Sequence, residues 1–141
     1  MKRKASAVWR GSLKDGKGSL STDSGVLKET QYSFSTRFEN GIGTNPEELI
    51  AAAHAGCFAM AFSAELGKAG FTLESISATA TVTLDKTDAG WTVTASHLDV
   101  SVKIPGADRA KVLGVANVAK LGCPISRLLK ANVTMDARLE G

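Results

Sequence analysis

The chain has 141 residues, a length that suits one domain, residues 1–141, large enough to bury a sizeable core. It is 43% hydrophobic and 22% charged, ordinary values for a globular protein. A net charge of +3, 6% aromatic residues and one tight basic cluster, Lys2, Arg3 and Lys4, argue against a nucleic-acid surface.

The N-terminal basic residues do not open a secretory signal, because Trp9, Arg10 and Gly11 interrupt the place of an apolar segment. Weak alternation predicts a strand over Ala5–Arg10, followed by a loop over Gly11–Gly18. Short strands are predicted at Ser19–Thr22 and Gln31–Phe38; in the second, Tyr32, Phe34 and Thr36 share one face and Ser33, Ser35 and Arg37 the other. A Gly-rich turn over Asn40–Asn45 precedes a strong helix start. Pro46 suits the first helical position, Asn45 the N-cap, and Glu48 the third position of a capping box.

That helix should run to Gly67–Gly70. It is apolar almost all round, which predicts burial on every side. Its uncharged run Leu49–Ala64 is 16 residues, contains His54 and many small residues, and reads as a buried helix rather than a membrane span. Ala51, Ala52, Ala53, Ala55, Gly56 and Ala59 would let another element approach closely, and one chain of this size offers too little surface to cover such a helix. Two long strands, Thr72–Leu84 and Trp91–Ile104, follow around a loop D-K-T-D-A-G. Helices are predicted over Ala107–Leu121 and from Pro124 to Lys130, and a closing strand over Asn132–Leu139. The fold class is α+β.

Candidate chemistry centres on two cysteines. In a reducing, cytoplasmic setting, the default here, a lone pair is more often catalytic or redox-active than structural. Cys57 lies mid-helix in an apolar run, where it reads either as a small buried hydrophobe or as a thiol whose ionisation needs a nearby cation. Cys123 precedes Pro124 in a helix-start position that lowers a thiol pKa, so local physics favours Cys123 as the thiolate. Arg37 is the candidate cation, with a snorkelling edge arginine as its plainer reading.

Glu47 and Glu48 both suit the positive end of the helix; if Glu48 caps it, Glu47 keeps a free carboxylate, and a cap at Thr44 would exchange the roles. Glu47 and Cys57 project about 80° and nearly three turns apart, so they do not touch directly. His54 reads as a satisfied core histidine or as one half of a His–Cys pair. His97 has no evident partner. Without C-x-x-C or H-x-x-x-H spacing, or a phosphate-cradling loop, no metal and no cofactor is expected.

The segment T-R-F-E-N-G-I-G-T-N-P-E-E-L-I-A-A-A-H-A-G-C-F-A-M-A, with A-K-L-G-C-P-I-S-R-L-L and D-A-R-L further on, closely resembles the osmotically inducible protein C (OsmC) family. The likeness covers nearly the whole chain, and the arginine within T-R-F resembles the OsmC branch more than the organic hydroperoxide resistance branch. The resemblance implies an intertwined homodimer in which two antiparallel sheets wrap central helices. It implies a cysteine-based peroxidase in which Cys57 is peroxidatic, Cys123 resolving, Arg37 activating and Glu47 the carboxylate partner of Arg37.

Organic hydroperoxides are the implied substrates, with hydrogen peroxide reduced less efficiently, in defence against oxidative and osmotic stress. A dithiol, in relatives a lipoylated protein, is the implied reductant; neither nucleic acid nor membrane is an expected partner. Phe34, Phe38, Phe58 and Met60 suggest an apolar pocket for the organic group. The readings that compete are a redox sensor using the same disulfide and a binding domain in which both cysteines only pack.

Overall fold

The computed structural model describes residues Met1–Gly141 as six strands and four helices. They fall into two compact units, Met1–Leu49 and Ile50–Gly141.

In the first unit, β1 (Ala5–Arg10), β2 (Lys17–Thr22) and β3 (Thr30–Tyr32) form an antiparallel meander. Gly18 pairs with both Trp9 and Tyr32, whose rings lie 5.5 Å apart. A Cβ on Gly18 would stand 2.7 Å from Trp9 Cε3, so the two rings need a glycine between them.

Alternation predicted a strand through Phe38, but the chain leaves the sheet after Tyr32 and turns into α1 (Phe34–Phe38). Ser33 caps this helix: its hydroxyl accepts from Thr36 N–H at 3.3 Å, while Thr36 Oγ1 accepts from Ser33 N–H at 2.9 Å. Phe34 and Phe38 then meet as an i, i+4 pair with ring centroids 5.0 Å apart. The reciprocal cap and the four-residue spacing outcompete the two-residue period, and they move Arg37 from a strand to a helix.

Helix α2 (Pro46–Lys68) starts in the first unit and runs on through the second. Asn45 caps it, accepting from Glu48 N–H at 2.8 Å. The capping box is only half made, because the Glu48 carboxylate takes the Thr44 hydroxyl at 2.7 Å instead of reaching back to Asn45. By length and composition alone α2 is apolar enough to cross a bilayer.

In the second unit one stripe of α2, His54, Phe58, Phe62 and Leu66, is fully buried. The opposite face, with Ala52, Ala53, Gly56 and Met60, is exposed. The expectation of burial on every side therefore fails within one chain, which covers a single stripe.

That stripe shares a core with the inward residues of β5 (Gly90–Lys103), namely Leu98, Val100 and Val102. Each such residue contributes about 1.5–3 kcal/mol by leaving water. β4 (Ser75–Thr87) pairs antiparallel with β5, and the strands extend so far that only Asp88 and Ala89 remain between them, rather than a six-residue loop. β6 (Asn132–Glu140) pairs with β5 in parallel, so this sheet is mixed and not purely antiparallel.

Helix α3 (Arg109–Gly122) is capped by Asp108, which accepts from Ala110 N–H at 2.9 Å, and it buries Val112, Ala116 and Ala119. Its last turn hands over at Cys123 to α4 (Pro124–Leu128).

Candidate active site

In the first unit Arg37 and Glu47 form a forked ion pair. Nη2 donates to Oε1 at 2.8 Å, and Nε donates to Oε1 at 3.1 Å and Oε2 at 3.3 Å. The fork locks the guanidinium plane and leaves its Nη1 side outside the pair. Arg37 retains 37% of its side-chain exposure, whereas Glu47 retains 11%, so the cation is reachable and its partner is largely covered.

Asn45 sets this register: besides capping α2 it donates from Nδ2 to the Thr36 carbonyl at 2.9 Å, joining the residue before Arg37 to the start of the helix that carries Glu47. Glu48, engaged by Thr44, takes no part.

Beside Arg37 lies a cavity of about 230 Å³ lined by Trp9, Leu13, Tyr32, Ser33, Phe34 and Phe38 as well as Arg37 itself. The Arg37 guanidinium also stands 5.2 Å from the Phe38 ring centroid. Phe34 and Phe38 line this cavity, whereas Phe58 is fully buried in the core of the second unit. Met60 is 78% exposed on α2. Trp9 and Tyr32 escaped the sequence reading because they lie far apart in the chain and meet only by both pairing with Gly18, while Leu13 joins them from the turn between β1 and β2.

In the second unit Cys57 and Cys123 meet as free thiols across 66 residues of sequence separation. Cys123 S–H donates to Cys57 Sγ at 2.9 Å, so the sulfurs need approach by less than an ångström to reach the roughly 2.05 Å of a disulfide. Cys57 is half-buried and Cys123 fully buried, which leaves Cys57 as the sulfur open to attack from outside.

Burial raises the Cys57 thiol pKa, and the neighbouring Cys123 thiol raises it further; a hydrogen bond from the Ile125 backbone N–H works in the other direction. A cation near Cys57 would offset this rise. Cys123 does stand at the N-cap of α4, but its Sγ makes no capping bond and the helix is only five residues long.

His54, one turn before Cys57, is satisfied rather than paired with the thiol. Its Nδ1 lies 2.6 Å from Ser96 Oγ and its Nε2 2.8 Å from Ser126 Oγ. Burial lowers its pKa, which favours the neutral imidazole. His97 has three partners on the outer face of β5 and β6: Thr134 at 2.6 Å, Asp136 at 3.3 Å and Asp99 at 3.5 Å.

Two thiols in contact, one half-buried and one buried, on an α+β scaffold equip a protein for cysteine redox chemistry. The model of the family described as OsmC-like protein matches residues 39–138, and the chain belongs to that family. It is 53% identical over 138 residues to the protein named peroxiredoxin OsmC of Escherichia coli (strain K12), covering 98% of this chain and 96% of that one.

The chain is also 30% identical over 124 residues to organic hydroperoxide resistance protein OhrB of Bacillus subtilis (strain 168), covering 87% of this chain and 88% of the other. Its fold matches that of an OsmC-like protein of unknown function from Vibrio cholerae with a TM-score of 0.78, at 19% identity over 98% of this chain and 99% of that one. With membership goes the enzyme class: the chain is a thiol-dependent peroxidase.

Proposed function

We propose that this peroxidase acts on organic hydroperoxides, and on hydrogen peroxide less efficiently, through a Cys57 sulfenic acid and a Cys57–Cys123 disulfide. The observation that carries the reading is the 2.9 Å contact between the two sulfurs, one of which is accessible and the other buried behind it. In this reading Arg37 stabilises the Cys57 thiolate, and Glu47 holds the guanidinium in place.

The thiolate attacks the terminal peroxide oxygen. The O–O bond breaks, Cys57 becomes a sulfenic acid, and the alkoxide takes a proton and leaves as alcohol. Cys123 then attacks the sulfenic sulfur. The S–O bond breaks, an S–S bond forms, and the hydroxyl leaves with the Cys123 proton as water. An external dithiol, such as a lipoylated protein, reduces the disulfide and is itself oxidised.

The aromatic cavity beside Arg37 supports the preference for an organic group over hydrogen peroxide. The exposed small-residue face of α2, including Gly56, supports a second copy of the chain packed there, with residues 1–141 acting as one domain in a cytoplasmic homodimer. Light scattering at micromolar concentration tests that assembly, and a monomer overturns it.

The chemistry is tested by intact mass after one equivalent of cumene hydroperoxide. The expected result is loss of two hydrogen atoms in the native protein, a sulfenic acid in Cys123→Ser, and no turnover in Cys57→Ser. Sustained turnover by Cys57→Ser overturns the mechanism.

A further inference from the structure

His54 is a fully buried titratable side chain that the proposed peroxide chemistry does not use. Its two nitrogens are bound to serines on two different elements, Ser96 of β5 and Ser126 of α4. A neutral imidazole carries one donor and one acceptor, and a hydroxyl serves as either, so one serine donates to the ring and the other accepts from it.

Helix α4 has five residues, none fully buried; Ile125 packs against the core, and the Ser126 side chain ties the helix to His54 by a hydrogen bond. Yet the first turn of α4 supplies two groups to Cys57: the Cys123 thiol that precedes it and the Ile125 N–H within it. His54 and Cys57 lie three residues apart on α2, so the His54–Ser126 bond ties the turn carrying Cys123 to the helix carrying Cys57.

We propose that His54 is a positioning residue for disulfide formation, holding Cys123 within reach of the Cys57 sulfenic acid through Ser126. The step served is attack of Cys123 sulfur on Cys57 sulfur, with S–O cleavage and release of water. Ser96 fixes the imidazole from the other side, so that α4 is referred to the rigid central strand and not to a mobile side chain. This inference rests on the Cys57–Cys123 disulfide proposed above.

The experiment oxidises the reduced full-length protein with one equivalent of tert-butyl hydroperoxide and quenches it over time. The disulfide is read as a loss of two hydrogen atoms in intact mass, and sulfenic acid as a dimedone adduct. In the native protein the disulfide forms with little adduct. In His54→Leu and Ser126→Ala disulfide formation slows by about 10- to 100-fold and the adduct accumulates, a size expected when reacting atoms are misplaced by about an ångström. His54→Gln, which keeps a donor and an acceptor, recovers most of the rate.

Native-like disulfide formation in Ser126→Ala overturns the proposal, and that half-buried site keeps the test decisive if His54→Leu does not fold. If the native protein itself forms no Cys57–Cys123 disulfide, the proposed peroxidase mechanism falls, and this inference with it. If the native protein forms it and the variants match its rate, only the role of His54 falls.

Discussion

Asn45 donates from its side-chain Nδ2 to the carbonyl of Thr36 at 2.9 Å while its Oδ1 caps α2. One amide thus performs two tasks: it satisfies the orphaned Glu48 N–H at the start of a long helix, and it ties Arg37 and Glu47 into register. The tasks separate by mutation. Asn45→Ala loses both and is expected to cost about 1 kcal/mol of stability together with hydroperoxide turnover. Asn45→Ser keeps a capping oxygen but cannot bridge to Thr36, so its melting temperature should recover more than its turnover does. Thermal melts and steady-state assays on the two variants check this.

Arg37→Lys keeps the charge and loses the fork to Glu47. A lysine is a point cation without the planar two-bond geometry, so kcat/KM for hydroperoxide should fall about tenfold or more. The pH profile is the sharper measurement. Burial and Cys123 both push the Cys57 thiol upward, so without Arg37 the rate of Cys57 oxidation should keep rising through and beyond the ordinary thiol range near about 8.5. In the native protein the profile should lie at lower pH. Coincident profiles for native protein and Arg37→Ala would remove Arg37 from the activation of Cys57.

His54 links stability to acid. Its pKa in the fold is lowered by burial, below the unfolded value of about 6.5. A group of this kind contributes stability that is present above the unfolded pKa and lost as pH falls through the folded one. Melting temperatures taken from pH 7.5 down to pH 5 should therefore fall more steeply for the native protein than for His54→Gln, which has no proton to gain. Parallel slopes would show that the imidazole is not held neutral.

Trp9 and Tyr32 wall the cavity beside Arg37 with Phe34 and Phe38. Trp9→Ala opens that wall and removes apolar contact with a bulky organic group. The kcat/KM for cumene hydroperoxide should drop several-fold more than that for hydrogen peroxide, which makes no such contact. Equal losses on both substrates would mean that Trp9 supports the sheet and not the substrate.

Much of the chain could be read from local pattern. The P-E-E start of α2, the strand Ala5–Arg10 and the strand at Asn132 lie where capping chemistry and alternation put them, because those signals act within a few residues. The segment Gln31–Phe38 did not, since its aromatics satisfy a period of two and a period of four equally well. Ser33 and Thr36 decide between them through a reciprocal cap whose force is visible only once both hydrogen bonds are drawn. The motif around Cys57 and Cys123 was enough to recognise the family, because a specific string of residues carries that information without a fold.

Only the tertiary structure decided how those residues meet. Local physics favoured Cys123 as the thiolate, but packing buries it completely and leaves Cys57 half-open. The serines that hold His54 lie 42 and 72 residues away from it, and no sequence spacing announces such a bond. The apolar character of α2 was plain, yet a single chain covers only its His54–Phe58–Phe62–Leu66 stripe. Composition states that a surface must be buried; which partner buries it is decided by contacts between elements that the chain brings together only on folding.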